Sequence, residues 1–223
     1  MPNERTPRFQ AIDPAAWPRQ PYFDHYFNAV RCTYSVAADI DVSALLERCK
    51  ATGAKFYPAM IYCIATAVNR LPEMRVCFDR GGTLGMWDFM SPCYAVFHQE
   101  NKTFSNIWTP YRDDFHSFHG QFLADAVEYG NDPSFFPKPD IPENCFTVSS
   151  LPWIDFTGFN INVFGDGRYL QPIFTLGQYS RENGRARVPL AVQVQHAACD
   201  GYHVGQLFES VRMLSRESPS WLA

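Results

Sequence analysis

The sequence predicts an α+β domain built on a mixed β-sheet. Helical patterns occur early in the 223-residue chain, strand patterns fill much of its middle and last third, and an amphipathic helix closes it. Segments grouped in this way favour an α+β arrangement with a mixed sheet. Because the chain has no linker, internal repeat or low-complexity tract, we expect residues 1–223 to form a single domain.

Four helices follow from apolar periodicity and from start and stop residues. They are predicted at Ala44–Cys49, at Phe56–Val68, at Asp113–Tyr129, and from His203 onward, where Val204, Leu207, Phe208, Val211 and Leu214 share one face. Asp41 or Ser43 is the expected N-cap of the first helix, and Gly53 ends it. Pro58 lies in the first turn of the second helix, and apolar residues on most of its faces predict that it is buried.

Strand patterns and turn signals alternate through the rest of the chain. Strands are predicted at Val30–Ala37, Arg75–Phe78, Leu84–Trp87, Cys93–His98, Cys145–Ser149, Phe159–Val163, Gln171–Gln178 and Val188–Gln195. The three segments between residues 75 and 98 are interpreted as antiparallel hairpins. Residues 131–144 contain four prolines and are expected to form a surface loop.

Composition and charge exclude several classes of protein. The formal net charge is −4 and basic residues are scattered, which argues against a nucleic-acid partner because such binding neutralises phosphates. No secretory signal is visible and the apolar run 58–68 is far shorter than a membrane span, so we expect a soluble, cytoplasmic protein with no membrane partner. Seven cysteines without C-x-x-C or zinc spacing are expected to be reduced. Aromatic residues form 16% of the chain, which suits either core packing or a site for an aromatic ligand.

The stretch from Val192 to His203 carries the clearest signal of chemistry. A β-branched run ends at His196, Asp200 and Gly201 follow, and a helical pattern then begins. A strand end followed by a tight loop holds a side chain rigidly while its tip faces a cleft. Because histidine titrates near neutrality, His196 is a candidate general base that takes a proton from a hydroxyl.

Two alternative chemistries remain open to the same stretch. His196, Asp200 and His203 would share one face of an unbroken helix and hold a metal, but Gly201 and the preceding strand argue against that helix, and we expect no metal. Cys199 is a candidate nucleophile, although a reactive thiol needs surroundings that favour the thiolate. Packing is therefore the favoured role of Cys199, and His203 is interpreted as a polar residue at the helix start.

A resemblance to a known family begins in this stretch and extends over almost the whole chain. The segment His196-Ala-Ala-Cys-Asp200-Gly201 resembles an H-H-x-x-x-D-G motif. Further matching segments, in order and with similar gaps, are Trp17-Pro-Arg19, Cys32-Thr-Tyr34, Lys55-Phe-Tyr-Pro58, Trp87-Asp88, Val96-Phe-His98, Thr103-Phe-Ser105, Phe136-Pro137 and Val148-Ser-Ser-Leu-Pro-Trp153. Together they resemble the type A chloramphenicol acetyltransferases of the CoA-dependent acyltransferase superfamily. The resemblance implies a two-layer sandwich in which helices cover a mixed β-sheet.

The family implies roles for five residues. His196 would be the general base in the transfer of an acetyl group from acetyl-CoA to the C3 hydroxyl of chloramphenicol, without a covalent acyl-enzyme. Ser149 would donate a hydrogen bond to the tetrahedral oxyanion, and Thr175 would assist through a bound water. Asp200 and Arg19 would form an ion pair that holds the loop after the histidine. On this interpretation Asp200 is structural, and its place along the turn is too distant to claim that it polarises His196.

The resemblance also implies binding residues and an assembly. The acceptor pocket would be lined by His25, Tyr26, Val30, Cys32, Phe104, Phe136, Ile161 and Ile173, and acetyl-CoA would contact Trp153 and Tyr179. The expected assembly is a homotrimer in which the histidine of one subunit faces the acceptor pocket of its neighbour.

The chain departs from the family pattern at two positions and leaves two rival functions open. Gln195 replaces the first histidine of the motif, which is not the base, and His25 stands where an aromatic residue is common in the drug pocket. One rival is CoA-dependent acyl transfer to another small alcohol or to a thiol such as a dihydrolipoyl group. The other is a protein that binds chloramphenicol without turnover.

Overall fold

The computed structural model describes residues 5–163 and 166–222. Its strands are β1 (Phe9–Ala11), β2 (Thr33–Asp41), β3 (Val76–Phe78), β4 (Leu84–Trp87), β5 (Ser91–His98), β6 (Thr103–Trp108), β7 (Cys145–Ser150), β8 (Ile173–Leu176), β9 (Ser180–Glu182) and β10 (Arg185–Gln195). Its α-helices are α1 (Gln20–Phe23), α2 (Ser43–Thr52), α3 (Phe56–Arg70), α4 (Phe115–Tyr129), α5 (Gly201–Arg216) and α6 (Ser218–Trp221). A π-helix at Asp24–Ala29 follows α1, and a 3-10 turn at Pro72–Arg75 follows α3.

The main sheet is mixed, as predicted. Its strand order is β2-β10-β8-β7-β5-β6, and β9 also pairs with β10. The β5–β7 and β7–β8 pairs are parallel, whereas β10 is antiparallel to β2, β8 and β9. A smaller antiparallel sheet has the order β1-β4-β3. The predicted α+β fold with a mixed sheet covered by helices is thereby confirmed.

The helices cover one face of the main sheet. On β10, Leu190, Val192 and Val194 belong to the hydrophobic core cluster together with the apolar residues of α3 and α5. Side chains alternate between the faces of a strand, so Ala191 and Gln193 lie on the opposite face. Ser149 and Thr175 are in register with Ala191 and share that second face, which we call the open face.

Two local predictions are wrong. Residues 155–163, which include the predicted strand Phe159–Val163, form an irregular segment in which the Asn160 side chain accepts a hydrogen bond from Ser35 Oγ on the edge strand β2. The segment alternates apolar and polar residues like a strand, but it pairs with no strand backbone among the described residues. Val30 ends the π-helix, and β2 begins only at Thr33.

The hairpin interpretation holds only in part. β3 and β4 pair as an antiparallel hairpin, but β5 lies in the other sheet, where it pairs with β6 and β7. The sequence analysis did not predict β1, β6, β9, α1 or the π-helix, and α5 begins at Gly201 rather than at His203. Within the described ranges, no helix is both long and apolar enough to cross a membrane.

Candidate active site

His196 lies in the turn that directly follows β10, the strand with the most extensive pairing in the sheet. Its backbone N–H donates to Cys32 O at 3.0 Å, which fixes the turn against the start of β2. The Gln195 side chain accepts from Ala197 N at 2.8 Å and supports the same turn from inside the protein. The pairing of β10 with β2 and these two hydrogen bonds therefore fix the position of the His196 backbone.

Two tyrosines hold the His196 ring. Tyr26, from the π-helix, stacks on it with a centroid separation of 3.7 Å and an interplanar angle of 5°, and Tyr34, from β2, meets it at 5.1 Å and 62°. Nδ1 is buried and has no hydrogen-bond partner among the described residues, while the side chain as a whole remains 26% exposed. The edge of the ring that carries Nε2 is thus the one that can meet a substrate.

Arg19 ties the loop after His196 together with four hydrogen bonds. Its guanidinium donates to both carboxylate oxygens of Asp200 at 2.6 Å each. It also donates to His196 O and to Ala197 O, each at 2.9 Å. The planar guanidinium can serve two carboxylate oxygens and two carbonyls at once, which no other side chain can do. The Arg19–Asp200 contact implied by the family resemblance is therefore present in the structure.

Electrostatics around the loop follow from this arrangement. Hydrogen bonding to Arg19 lowers the pKa of the Asp200 carboxyl below its ordinary value of 3.8, so the carboxylate is charged at neutral pH. Burial raises the pKa of the Cys199 thiol to about 12, which leaves it protonated and a poor nucleophile. Packing as the role of Cys199 is consistent with this thiol.

Asp200 is nearer to His196 than its place along the turn suggested. Asp200 Oδ1 lies 3.4 Å from His196 Nδ1, without the geometry of a hydrogen bond. A negative charge beside Nδ1 favours the neutral tautomer that carries its proton there, and this leaves the Nε2 lone pair available. His203 contributes at the other end of the loop, because its Nδ1 accepts from Asp200 N at 2.9 Å.

Replacing Arg19 with methionine tests this network. We expect Arg19→Met to lower the free energy of unfolding by about 2–4 kcal/mol, because it leaves the Asp200 charge and two carbonyls without their donor. Urea unfolding at a fixed protein concentration measures the change, with exposed Arg181→Met as the matched control. A shift no larger than that of the control would contradict the assigned role.

The same variant has a defined pH dependence. The folded-state pKa of Asp200 is lowered, so the stabilisation by Arg19 is present above the ordinary pKa of 3.8 and is lost as the pH falls through the folded value. The stability difference between wild type and Arg19→Met should therefore be constant near neutrality and shrink in acid.

Ser149 opens into a separate cleft of about 900 Å³, which we call the serine cleft. Its lining includes Phe56, Tyr57, Phe97, Phe104, Ser149, Trp153, Gln178 and Tyr179. Trp153 and Tyr179 are 54% and 49% exposed, and Trp153 packs edge-on against Phe97 at 4.7 Å. Thr175, next to Ser149 in the sheet, is 1% exposed, and its buried Oγ1 has no hydrogen-bond partner among the described residues.

A single chain keeps His196 far from Ser149. Ser149 is in register with Thr175, and Thr175 with Ala191, whereas His196 lies five residues beyond Ala191. At about 3.3 Å per residue along a strand and about 4.8 Å between strands, the Cα atoms of Ser149 and His196 are roughly 19 Å apart. The two groups cannot act on one reacting atom within the same chain.

The other predicted site residues divide between these two places. His25, Tyr26, Val30 and Cys32 lie with His196, at the π-helix and the start of β2. Phe104 lines the serine cleft, and Phe136 joins it through Phe135, with centroids 5.7 Å apart for Phe104–Phe135 and 4.5 Å for Phe135–Phe136. Ile173 lies on β8, two residues before Thr175, and Ile161 follows Asn160, whose side chain bonds to Ser35 of β2.

Tyr34 is a site residue that the sequence analysis did not assign. Besides meeting the His196 ring, its hydroxyl donates to Cys199 O at 3.3 Å. The signal was its position two residues after Cys32, on the strand that pairs with the end of β10.

Among the described residues no group of histidine, cysteine and carboxylate side chains is arranged to hold a metal ion.

Comparison with known proteins identifies the family. The chloramphenicol acetyltransferase family profile matches residues 7–212. A chloramphenicol acetyltransferase of Clostridium perfringens is 48% identical over 215 residues, which cover 96% of this chain and 98% of the relative. The chain belongs to the chloramphenicol acetyltransferase family. It is accordingly an enzyme, and its class is acyltransferase.

Other solved structures share the fold of this member of the chloramphenicol acetyltransferase family. A chloramphenicol acetyltransferase structure matches it with a TM-score of 0.86 at 22% identity, covering 93% of this chain and 99% of the other. A dihydrolipoamide acetyltransferase of Azotobacter vinelandii matches with a TM-score of 0.66 at 16% identity, covering 91% and 88%. At these identities the likeness concerns the fold alone.

Proposed function

We propose that this chain catalyses the transfer of the acetyl group of acetyl-CoA to the C3 hydroxyl of chloramphenicol, which inactivates the antibiotic. The observation that carries the proposal is the 48% identity to a chloramphenicol acetyltransferase across 96% of the chain. Residues 1–223 act as a single catalytic domain, and one continuous hydrophobic cluster supports this. Seven free cysteines are in keeping with the reducing cytoplasm, where acetyl-CoA is available.

His196 is the general base of the proposed reaction. Its Nε2 takes the proton of the C3 hydroxyl as that oxygen attacks the thioester carbon of acetyl-CoA. The tetrahedral intermediate collapses by breaking the carbon–sulfur bond, and the proton on Nε2 passes to the departing sulfur. The products are the acetyl ester and free CoA, and no acyl group is attached to the protein. The Arg19 network and the Tyr26 ring keep the imidazole oriented throughout.

Ser149 and Thr175 stabilise the negative charge of the intermediate. Ser149 Oγ donates to the oxyanion, where a preorganised donor has its largest effect. Thr175 Oγ1 is buried without a hydrogen-bond partner in the part of the chain that the structure describes, and it is suited to hold a water that gives the oxyanion a second donor. Both side chains lie on the open face and point to the same side of the sheet.

Acetyl-CoA occupies the serine cleft in this proposal. The cleft volume of about 900 Å³ is within the range of cofactor sites. The half-exposed rings of Trp153 and Tyr179 offer flat apolar surfaces for the pantetheine arm or the adenine. Because the cleft reaches Ser149, the thioester carbonyl can come within hydrogen-bonding distance of its hydroxyl.

The proposed enzyme is a homotrimer whose active sites lie between subunits. The separation of roughly 19 Å between His196 and Ser149 in one chain supports this, because the base must then come from a neighbouring copy. Exposed apolar residues on both sides also support it: Val30, beside the histidine, and Phe104 and Phe136, beside the serine cleft, are each about half exposed. The acceptor pocket would close when these surfaces meet.

One assay separates this function from its rivals. Purified protein is mixed with acetyl-CoA and chloramphenicol, and the release of free CoA thiol is followed. We expect thiol release that depends on chloramphenicol and yields the 3-O-acetyl ester. Release only with another alcohol or with dihydrolipoamide would favour the first rival, and tight chloramphenicol binding without thiol release would favour the second. Either result would overturn the proposal.

A further inference from the structure

The inference concerns a buried ion pair beneath the loop 131–144, far from His196. Lys138 Nζ lies 2.8 Å from Asp125 Oδ1 on α4, and the two side chains are only 11% and 3% exposed. Charged side chains are seldom buried unless they are paired. Removing one partner of a buried pair strongly destabilises a protein, because the other charge is left in the core without compensation. We call these two residues the clamp.

Besides Lys138, two neutral side chains donate hydrogen bonds to Asp125. The carboxylate of Asp125 also accepts from Gln121 Nε2 at 2.9 Å and from Thr109 Oγ1 at 2.7 Å. Because Thr109 has one hydroxyl proton and gives it to Asp125, the 2.9 Å contact with Tyr94 OH has tyrosine as the donor. The Asp125 carboxylate is thus fixed by Thr109, which directly follows β6, and by Gln121 on α4.

Lys138 also contacts Trp108, the last residue of β6. Its ammonium donates to Trp108 O at 3.0 Å and lies 4.1 Å from the centre of the Trp108 ring. Trp108 Nε1 in turn donates to Pro139 O at 3.1 Å. Lys138 thus bonds to the backbone of β6, and Trp108 of β6 bonds to the backbone of the loop. These two contacts hold the loop against β6, the edge strand of the main sheet.

The loop carries two of three exposed aromatic rings that we call the aromatic wall, which consists of Phe104, Phe135 and Phe136. They are between 49% and 56% exposed and stack edge to face. Phe135 O accepts from Asn106 N at 2.8 Å, and the clamp lies two residues beyond Phe136. The first half of the loop is held to β6 by Asn106 and by Ser105 Oγ, which donates to Asp132 O at 2.9 Å, and the clamp holds the second half.

We propose that the Lys138–Asp125 clamp is a positioning device that sets the aromatic wall for binding of the acceptor. Its effect is on recognition of the nitrophenyl ring and leaves the chemical step untouched. The proposal rests on the proposed function, in which Phe104 and Phe136 line the acceptor pocket. A residue that acts only on ground-state binding changes KM for its own substrate and leaves kcat unchanged.

The kinetic test compares Lys138→Met with Lys50→Met, the same substitution at an exposed position on α2. We expect Lys138→Met to raise KM for chloramphenicol about tenfold, with kcat and KM for acetyl-CoA changed less than about twofold. Lys138→Arg, which keeps the charge, should restore most of the affinity. An unchanged KM for chloramphenicol, or an equal rise in KM for acetyl-CoA, would overturn the proposal.

A structural readout keeps the test independent of the substrate assignment. Hydrogen exchange of the Asn106 amide, which is bonded to Phe135 O, should speed up in Lys138→Met, while amides in β10 keep the wild-type rate. Slow exchange at Asn106 in the variant would sink the clamp even if the enzyme acetylates chloramphenicol. Fast exchange in a protein that does not use chloramphenicol would instead leave the clamp intact and refute only the function.

A second variant covers the case in which Lys138→Met does not fold. Lys138→Met combined with Asp125→Leu removes both charges, so that no unpaired carboxylate is left in the core. It should fold and show the same rise in KM for chloramphenicol and the same faster exchange at Asn106. A folded double variant with wild-type values for both would overturn the proposal.

Discussion

Replacing His196 with alanine is expected to lower kcat by about 10²–10⁴-fold, because a positioned general base contributes about that much to proton transfer. The loop itself should stay in place, since Arg19 bonds to the backbone carbonyls of His196 and Ala197 and to the Asp200 carboxylate, none of which the substitution removes. Steady-state thiol release with acetyl-CoA and chloramphenicol measures the loss, and circular dichroism checks the fold.

The control for this variant is His116→Ala, at an exposed position on α4. It should keep the wild-type rate. A His196→Ala protein that retains near-normal kcat would rule out His196 as the base.

Replacing Ser149 with alanine is expected to lower kcat by about 10²–10³-fold, the usual effect of removing one oxyanion donor, which corresponds to about 2.7–4 kcal/mol of transition-state stabilisation. The effect should fall on kcat with little change in KM for either substrate, because the hydrogen bond is made mainly in the transition state. Ser220→Ala, at an exposed position on α6 and outside the serine cleft, is the matched control.

The two inactive variants together test where the site lies. When His196→Ala and Ser149→Ala chains are unfolded, mixed in equal amounts and refolded, an interface with both groups intact should form in about a quarter of the sites of a cyclic trimer. Activity should therefore return to about a quarter of the wild-type value. If both groups acted from the same chain, mixing would restore nothing, and the trimeric site would be wrong.

The elements that the sequence predicted best are those specified locally. α3 was predicted at Phe56–Val68 and spans Phe56–Arg70, because a proline in its first turn, an all-round apolar sequence and a stop at Pro72 all agree. The last strand was likewise recognised from its β-branched residues, since β10 is buried along most of its length.

The elements that the sequence missed depend on distant contacts. The π-helix has no local signature; it is held where Phe23 stacks on Phe27 at 5.0 Å and Tyr26 stacks on His196. Phe159–Val163 shows the opposite failure, because strand-like alternation carries no information about whether a partner strand is free. Periodicity cannot distinguish these cases.

The site shows the same division. Arg19 and Asp200 are separated by 181 positions in the sequence, and only the family resemblance brought them together. Lys138 lies in the segment that was predicted to be a surface loop, and nothing nearby in the chain predicts that a carboxylate on α4 meets it. Side-chain pairs between distant segments are set by packing of the whole fold.

The different attachment of the two halves of the site has a consequence for adaptation. The base follows β10, which is bonded to three strands, so its opening should require the largest free energy in the molecule. The aromatic wall lies at the periphery of the molecule, where the rings of Phe104, Phe135 and Phe136 are about half exposed. Under the proposed function, substitutions of these exposed rings should change the preferred acceptor with little loss of stability, so new resistance spectra should arise there while the proposed catalytic end of β10 stays constant.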